Sequence, residues 1–161
     1  MERLIKQRQA LGHDLYDEVW EGEYHMVPGP GGKHSGLQFQ LLFALEPLAR
    51  AAGLRGSGPF NIGDSERSFR VPDGGFHRGT LDRVWFPTAA IVVEILSPGD
   101  ETWAKFDYYA AHRVDEICVA DPEARTIRWF RRDSASYLPV DRSELLDVTV
   151  ADLEATVDWP S

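Results

Sequence analysis

Ala89-Ala90-Ile91-Val92-Val93-Glu94-Ile95-Leu96-Ser97-Pro98 is an apolar run of strand length with one carboxylate near its middle. It is rich in β-branched residues and reads as a strand buried on both faces. An unpaired charge in such a strand is costly, and it is neutralised, paired or bound to a metal. A second acid, Asp73, follows Arg70-Val71-Pro72, another short apolar-edged segment. If both segments lie in one sheet, the two carboxylates converge. At an effective dielectric of about 20, two unit charges about 4 Å apart repel by roughly 4 kcal/mol. That is a large share of a domain's stability of about 5–15 kcal/mol. A pair so placed needs a cation, and a divalent metal is the candidate. The competing expectation is a strand glutamate at a sheet edge, facing solvent or an arginine.

The chain has 161 residues, which is the size of one domain with a real core. Residues 1–15 are polar and mixed and read as an N-terminal arm, with a single domain over residues 16–161. The only cysteine, Cys118, sits in Ile117-Cys118-Val119-Ala120 and reads as a small buried hydrophobe. That leaves neither a disulfide framework nor a zinc–cysteine site. No signal-peptide core and no membrane-length apolar run is present, so a soluble, cytoplasmic protein is expected. The net charge of −9 does not favour a strong nucleic-acid binder, yet local patches matter more than totals. Arg125, Arg128, Arg131 and Arg132 form one loose basic group, and Arg67, Arg70, Arg78 and Arg83 a second. Both are expected on solvated hairpin faces.

Tyr16 to Val27 alternates loosely and predicts one or two short strands, followed by the Pro28-Gly29-Pro30-Gly31-Gly32 loop. Leu37, Leu41, Leu45 and Leu48 recur at helical spacing and predict a helix over residues 34–52. Ser35 is its expected N-cap, and Pro47 is expected to kink or divide it. Strands are expected within residues 54–72, 84–87, 89–96, 116–120, 126–131 and 136–140, with Ser97 to Asp100 as a turn. Helices are expected over residues 102–111 and 150–156. This order places the chain in the mixed α/β (α+β) class, a central mixed sheet flanked by helices.

Asp73, Glu94 and Lys105 are the residues best suited to chemistry. Hydrolysis of phosphodiesters with Mg²⁺ (or Mn²⁺) needs one or two carboxylates, waters and substrate phosphate around the ion. It also needs a group that orients the attacking water and balances developing charge. Asp73 and Glu94 supply carboxylates, the backbone carbonyl of Ile95 a further oxygen, and Lys105 the positive charge. Spacing alone is weak support, because acid pairs with a nearby lysine are common. The other aromatics and histidines fit no ligand or nucleophile motif, and Ser97 lacks the glycines of a nucleophile elbow.

Several segments together resemble the "putative restriction endonuclease" family of small bacterial proteins, a branch of the PD-(D/E)XK nuclease superfamily. They are Glu21-Gly22-Glu23, His34 at the start of the first long helix, Arg70-Val71-Pro72-Asp73 and Ile91 to Pro98. Lys105-Phe106-Asp107-Tyr108-Tyr109-Ala110 and Ile117 to Glu123 complete the set. The resemblance implies a restriction-endonuclease-like core and Mg²⁺-dependent cleavage of DNA or another nucleic acid. It implies Asp73 as the first metal-binding aspartate, Glu94 as the acid of the signature and Glu23 as an accessory metal ligand. The superfamily's lysine stands two residues beyond the acid, where this chain has Leu96, and Lys105 is the matching lysine. A homodimer is expected, since two sites permit double-strand cleavage. Gly74 and Gly75 stand where the family has apolar strand residues, and are expected to weaken that strand. A catalytically degenerate binding or dimerisation module is therefore the alternative.

Overall fold

A computed structural model describes residues 1–99 and 101–161. Asp100, the last residue of the expected Ser97 turn, lies outside the described residues.

The apolar run from Ala89 to Pro98 contains strand β8, Ile91–Ile95, and all five of its residues are buried. Its neighbours are β6 (Gly74–His77), antiparallel, and β9 (Glu116–Asp121), parallel. The remaining strands of this sheet are β3 (Arg55–Ser57), β10 (Thr126–Asp133) and β11 (Ser136–Val140). The order across the six-stranded sheet is β11-β10-β9-β8-β6-β3. A second, five-stranded sheet contains β1 (Glu18–Trp20), β2 (Glu23–His25), β4 (Asn61–Ser65), β5 (Ser68–Arg70) and β7 (Trp85–Phe86). A short ladder of β12 (Arg142–Ser143) and β13 (Val148–Thr149) precedes the last helix. Both large sheets mix parallel and antiparallel pairs, as the mixed class requires.

Side chains alternate across a strand, so the six-stranded sheet divides two cores. Ile91, Val93 and Ile95 pack with Leu37, Leu41, Leu45 and Ala49 of α2 (Gly32–Ala51). Val92 packs on the other face with Phe60, Ile62 and Tyr109, the last from α3 (Phe106–Ala111). Glu94 shares the α3 face. Burial of four branched side chains in β8 contributes roughly 1.5–3 kcal/mol each. That sum holds the strand inside despite the cost of desolvating its carboxylate.

Four sequence expectations need correction. Helix α2 runs through Pro47 as one element, and its N-cap is Gly31 rather than Ser35. Pro47 and Phe43, whose carbonyl the proline leaves unbonded, are both exposed, so water can take the place of the lost bond. Arg70 is buried rather than solvated. Its guanidinium lies between the Trp20 and Tyr108 rings, 4.2 and 3.9 Å from their centroids, and ties the smaller sheet to α3. Gly74 and Gly75, expected to weaken a strand, form part of β6, paired on both edges. A Cβ on Gly75 would stand 2.7 Å from the Phe60 ring and 2.8 Å from the Ile91 carbonyl oxygen. A Cβ on Gly74 would meet the Leu42 methyls at 2.7 and 2.9 Å. The glycines admit close packing on both faces.

Helix α1 (Glu2–Ala10) buries no residue of its own. Arg8 anchors it through two bonds of 2.6 and 2.8 Å to the buried carboxylate of Asp17. Asp17 also accepts the Val27 N–H and the Tyr24 hydroxyl, so the same acid fixes the start of the Pro28–Gly32 loop. The carboxy-terminal helix is α4 (Val150–Thr156), capped by the Thr149 hydroxyl. Among the described residues, no helix is long and apolar enough to cross a membrane.

Overpacking a core position costs roughly 1–3 kcal/mol. Gly75→Ala is expected to lower the urea-unfolding free energy by about that amount, because an aromatic ring and a backbone carbonyl must move. Gly74→Ala is expected to cost less, because leucine methyls yield more easily. Equal stability of Gly75→Ala and wild type would contradict this packing.

Candidate active site

The antiparallel register of β6 on β8 pairs Gly74 with Val93, so the next residues outward are Asp73 and Glu94. This is the convergence expected from the sequence. The Ile95 N–H donates to Asp73 Oδ2 at 2.7 Å, which fixes the acid against the end of β8. Lys105 closes a 3-10 turn (Thr102–Lys105) that leads into α3. Its Nζ lies 3.3 Å from Glu94 Oε1 and 2.8 Å from Glu18 Oε1. All of these side chains line one cleft of about 510 Å³, roofed by the loop from Met26 to Gly31.

Glu18 was not anticipated. It starts β1, is 2% exposed, and also accepts the Val71 N–H at 2.8 Å. Glu23, expected as the accessory acid, is exposed at the start of β2, across from Trp20. The tight turn at Glu21-Gly22 carries it away from the cleft, and Glu23 is not among the residues that line it. Tyr109 was also missed. It is wholly buried and donates its hydroxyl to Glu94 Oε1. Its signal was available, because Lys105 and Tyr109 stand four apart and a helix puts such residues on one face.

Three carboxylates, Glu18, Asp73 and Glu94, therefore face one ammonium. Burial raises the pKa of the Glu94 carboxyl above the usual carboxylate range. Lys105 and the Tyr109 bond oppose the rise, and the charges of Asp73 and Glu18 add to it. Burial alone would lower the pKa of Lys105, but Glu94 and Glu18 outweigh it and hold it raised. Burial and the charge of Glu94 keep the Tyr109 phenol protonated as a donor. Lys105 is thus a fixed positive charge and not a proton acceptor at neutral pH.

The donor set fits a hard divalent cation. Among the described residues, no three His, Cys, Asp or Glu side chains form a ready-made metal cage. Mg²⁺ does not require one, since it binds through one or two carboxylates and retains several waters. Asp73 and Glu94 offer those oxygens on the same cleft, which Ile95, the residue after Glu94, also lines. The excess negative charge disfavours any phosphate until a cation is present. Among the described residues, Glu18, Asp73, Glu94 and Glu101 line the cleft against the single ammonium of Lys105.

The mixed sheet with α2 on one face and α3 on the other is a restriction-endonuclease-like fold. The chain belongs to the Uma2 family, described as "putative restriction endonuclease", which matches residues 6–158. Its fold is similar to the crystal structure of a putative nuclease of DUF820 from Anabaena variabilis ATCC 29413. That likeness has a TM-score of 0.69 at 17% identity and covers 87% of this chain and 90% of the other. A cryo-electron-microscopy structure of the DrdV–DNA complex scores 0.46 at 16% identity, covering 95% of this chain and 13% of the other. No curated protein matches the chain in sequence.

In metal-free protein, a Glu94 pKa raised by folding stabilises the fold while the group is protonated. That contribution is lost as pH rises through the raised value. In EDTA, Glu94→Gln is therefore expected to melt above wild type at about pH 9, with the gain shrinking by about pH 5. An equal gain at both pH values, or none, would contradict the raised pKa of buried Glu94. Lys105→Met removes the ammonium that two buried acids share and is expected to cost about 3–5 kcal/mol under the same conditions at neutral pH.

Proposed function

We propose that this chain is a Mg²⁺-dependent endonuclease that hydrolyses phosphodiester bonds of DNA. The observation that carries this function is the adjacency of Asp73 and Glu94 across β6 and β8, with the Lys105 amine 3.3 Å from Glu94. Asp73, Glu94 and the Ile95 carbonyl would hold Mg²⁺ or Mn²⁺. The bound ion would lower the pKa of a water and polarise the scissile phosphate. Glu18 holds Lys105 at the cleft, and Lys105 offers its fixed charge to the phosphate oxygens. Tyr109 keeps one Glu94 oxygen oriented. The family description and the fold of the Anabaena nuclease support this function. A homodimer would place two such sites on one duplex.

The alternative is a catalytically degenerate module for binding or dimerisation. It is favoured by the stacked Phe39 and Phe43, 72% and 73% exposed on α2, and by the net charge of −9. Calorimetry separates the two, since a degenerate site would take up neither Mg²⁺ nor Mn²⁺ above the millimolar background.

Supercoiled plasmid, single-stranded DNA and RNA of matched sequence are the substrates to compare. Wild type is expected to cleave DNA only with Mg²⁺ or Mn²⁺, and Glu94→Ala to lose about 100-fold or more. Glu18→Ala is expected to impair cleavage, and Glu23→Ala to stay near wild type. Equal cleavage by wild type and Glu94→Ala would reject the catalytic assignment.

A further inference from the structure

Helix α2 grips Asp73 through a row of side chains one turn apart. His34 Nε2 lies 2.8 Å from Asp73 Oδ1. Gln38 Nε2 donates to the Asp73 carbonyl oxygen. Leu42 packs against Gly74, the next residue. Positions 34, 38 and 42 share one helix face, so a single stripe holds the acid's side chain, its backbone and its neighbour. The other Asp73 oxygen takes the Ile95 N–H. Each oxygen thus has a hydrogen-bond partner among the described residues, and a carboxylate oxygen can accept more than one bond.

The His34 ring is itself oriented. Its Nδ1 lies 2.9 Å from Ser97 Oγ, just beyond β8. A carboxylate only accepts, so Nε2 carries the proton toward Asp73, and in the neutral ring Nδ1 accepts from the serine hydroxyl. Ser97, His34 and Asp73 form a chain that spans the cleft from the end of β8 to the start of β6. Both His34 and Asp73 side chains are 13% exposed, so solvent competes little for these bonds.

We propose that His34, steadied by Ser97, is the positioning residue that presents the Asp73 carboxylate to the divalent cation. The assignment rests on the nuclease function proposed above. It also accounts for how the acid is held beside two glycines, because His34 and Gln38 of α2 add to the Ile95 N–H of β8. A hydrogen-bonded partner that orients a metal-binding ligand changes metal affinity by about 10–100-fold when removed.

The test is Mn²⁺ titration calorimetry on wild type, His34→Ala and His34→Gln, with plasmid cleavage at graded Mn²⁺. His34→Ala is expected to weaken Mn²⁺ binding by about 10–100-fold and to raise the half-saturating Mn²⁺ for cleavage equally. The rate at saturating Mn²⁺ is expected to fall much less. His34→Gln places an amide N–H near the Nε2 position and is expected to restore most of the affinity. It also keeps the test open if His34→Ala fails to fold. Unchanged Mn²⁺ affinity in a folded His34→Ala, or no rescue by His34→Gln, overturns the positioning role. Wild type that binds no Mn²⁺ removes the nuclease function and this role together, so the two failures are distinguishable. Covalent labelling of Ser97 by a fluorophosphonate probe would mark a serine nucleophile and overturn the assignment as well.

Discussion

The contact on which the structure depends is the Lys105 ammonium wedged between the buried carboxylates of Glu18 and Glu94. It joins the three parts of the molecule that make the cleft: β1 of the smaller sheet, β8 of the larger sheet and the turn into α3. A single positive charge cannot neutralise three acids. Folding therefore gathers an excess of negative charge beside Asp73, which adds to the burial that chiefly raises the pKa of Glu94. A site with too many carboxylates is unfavourable as a mere scaffold and well suited to a hard dication. The aliphatic burial of β8 and β9 on two faces supplies the stability that tolerates it.

How far the sequence revealed this arrangement depended on the distance over which each residue is determined. Glu94 was legible because its strand is a continuous apolar run, and a carboxylate stands out there. Cys118 was legible for the same reason, and it is fully buried. Asp73 was legible as the acid of a second short segment, and Lys105 through family resemblance. Glu18 was not legible, since it sits in the mixed stretch Tyr16–Trp20 where acids are common, and only tertiary pairing buries it. Glu23 was favoured in its place because Gly22-Glu23 carried the resemblance, while the hairpin geometry turns that side chain outward. The roles of Gly74 and Gly75 depend on how closely Leu42 and Phe60 approach, which no local pattern encodes.

The same distinction separates Arg70 from its neighbours in sequence. An arginine near other arginines suggests a solvated face. Two aromatic planes, Trp20 and Tyr108, instead come from elements distant in the chain and enclose it. Burial of that guanidinium couples the smaller sheet to α3. The helix that bears Tyr109 and follows Lys105 is therefore held through Tyr108 by Arg70 as well as through Tyr109 by Glu94. Helix α2 braces Asp73 from the far side of the sheet. The cleft is thus fixed from both faces, and its two acids meet at the register of β6 on β8.

On the proposed function, Asp73 and Glu94 jointly hold one hard divalent ion. Anomalous diffraction from crystals soaked in Mn²⁺ tests it most directly. One peak is expected between the two carboxylates, with oxygen distances of roughly 2.0–2.3 Å. Crystals with no peak there, or with Mn²⁺ bound elsewhere while Lys105 alone bridges the acids, would contradict it.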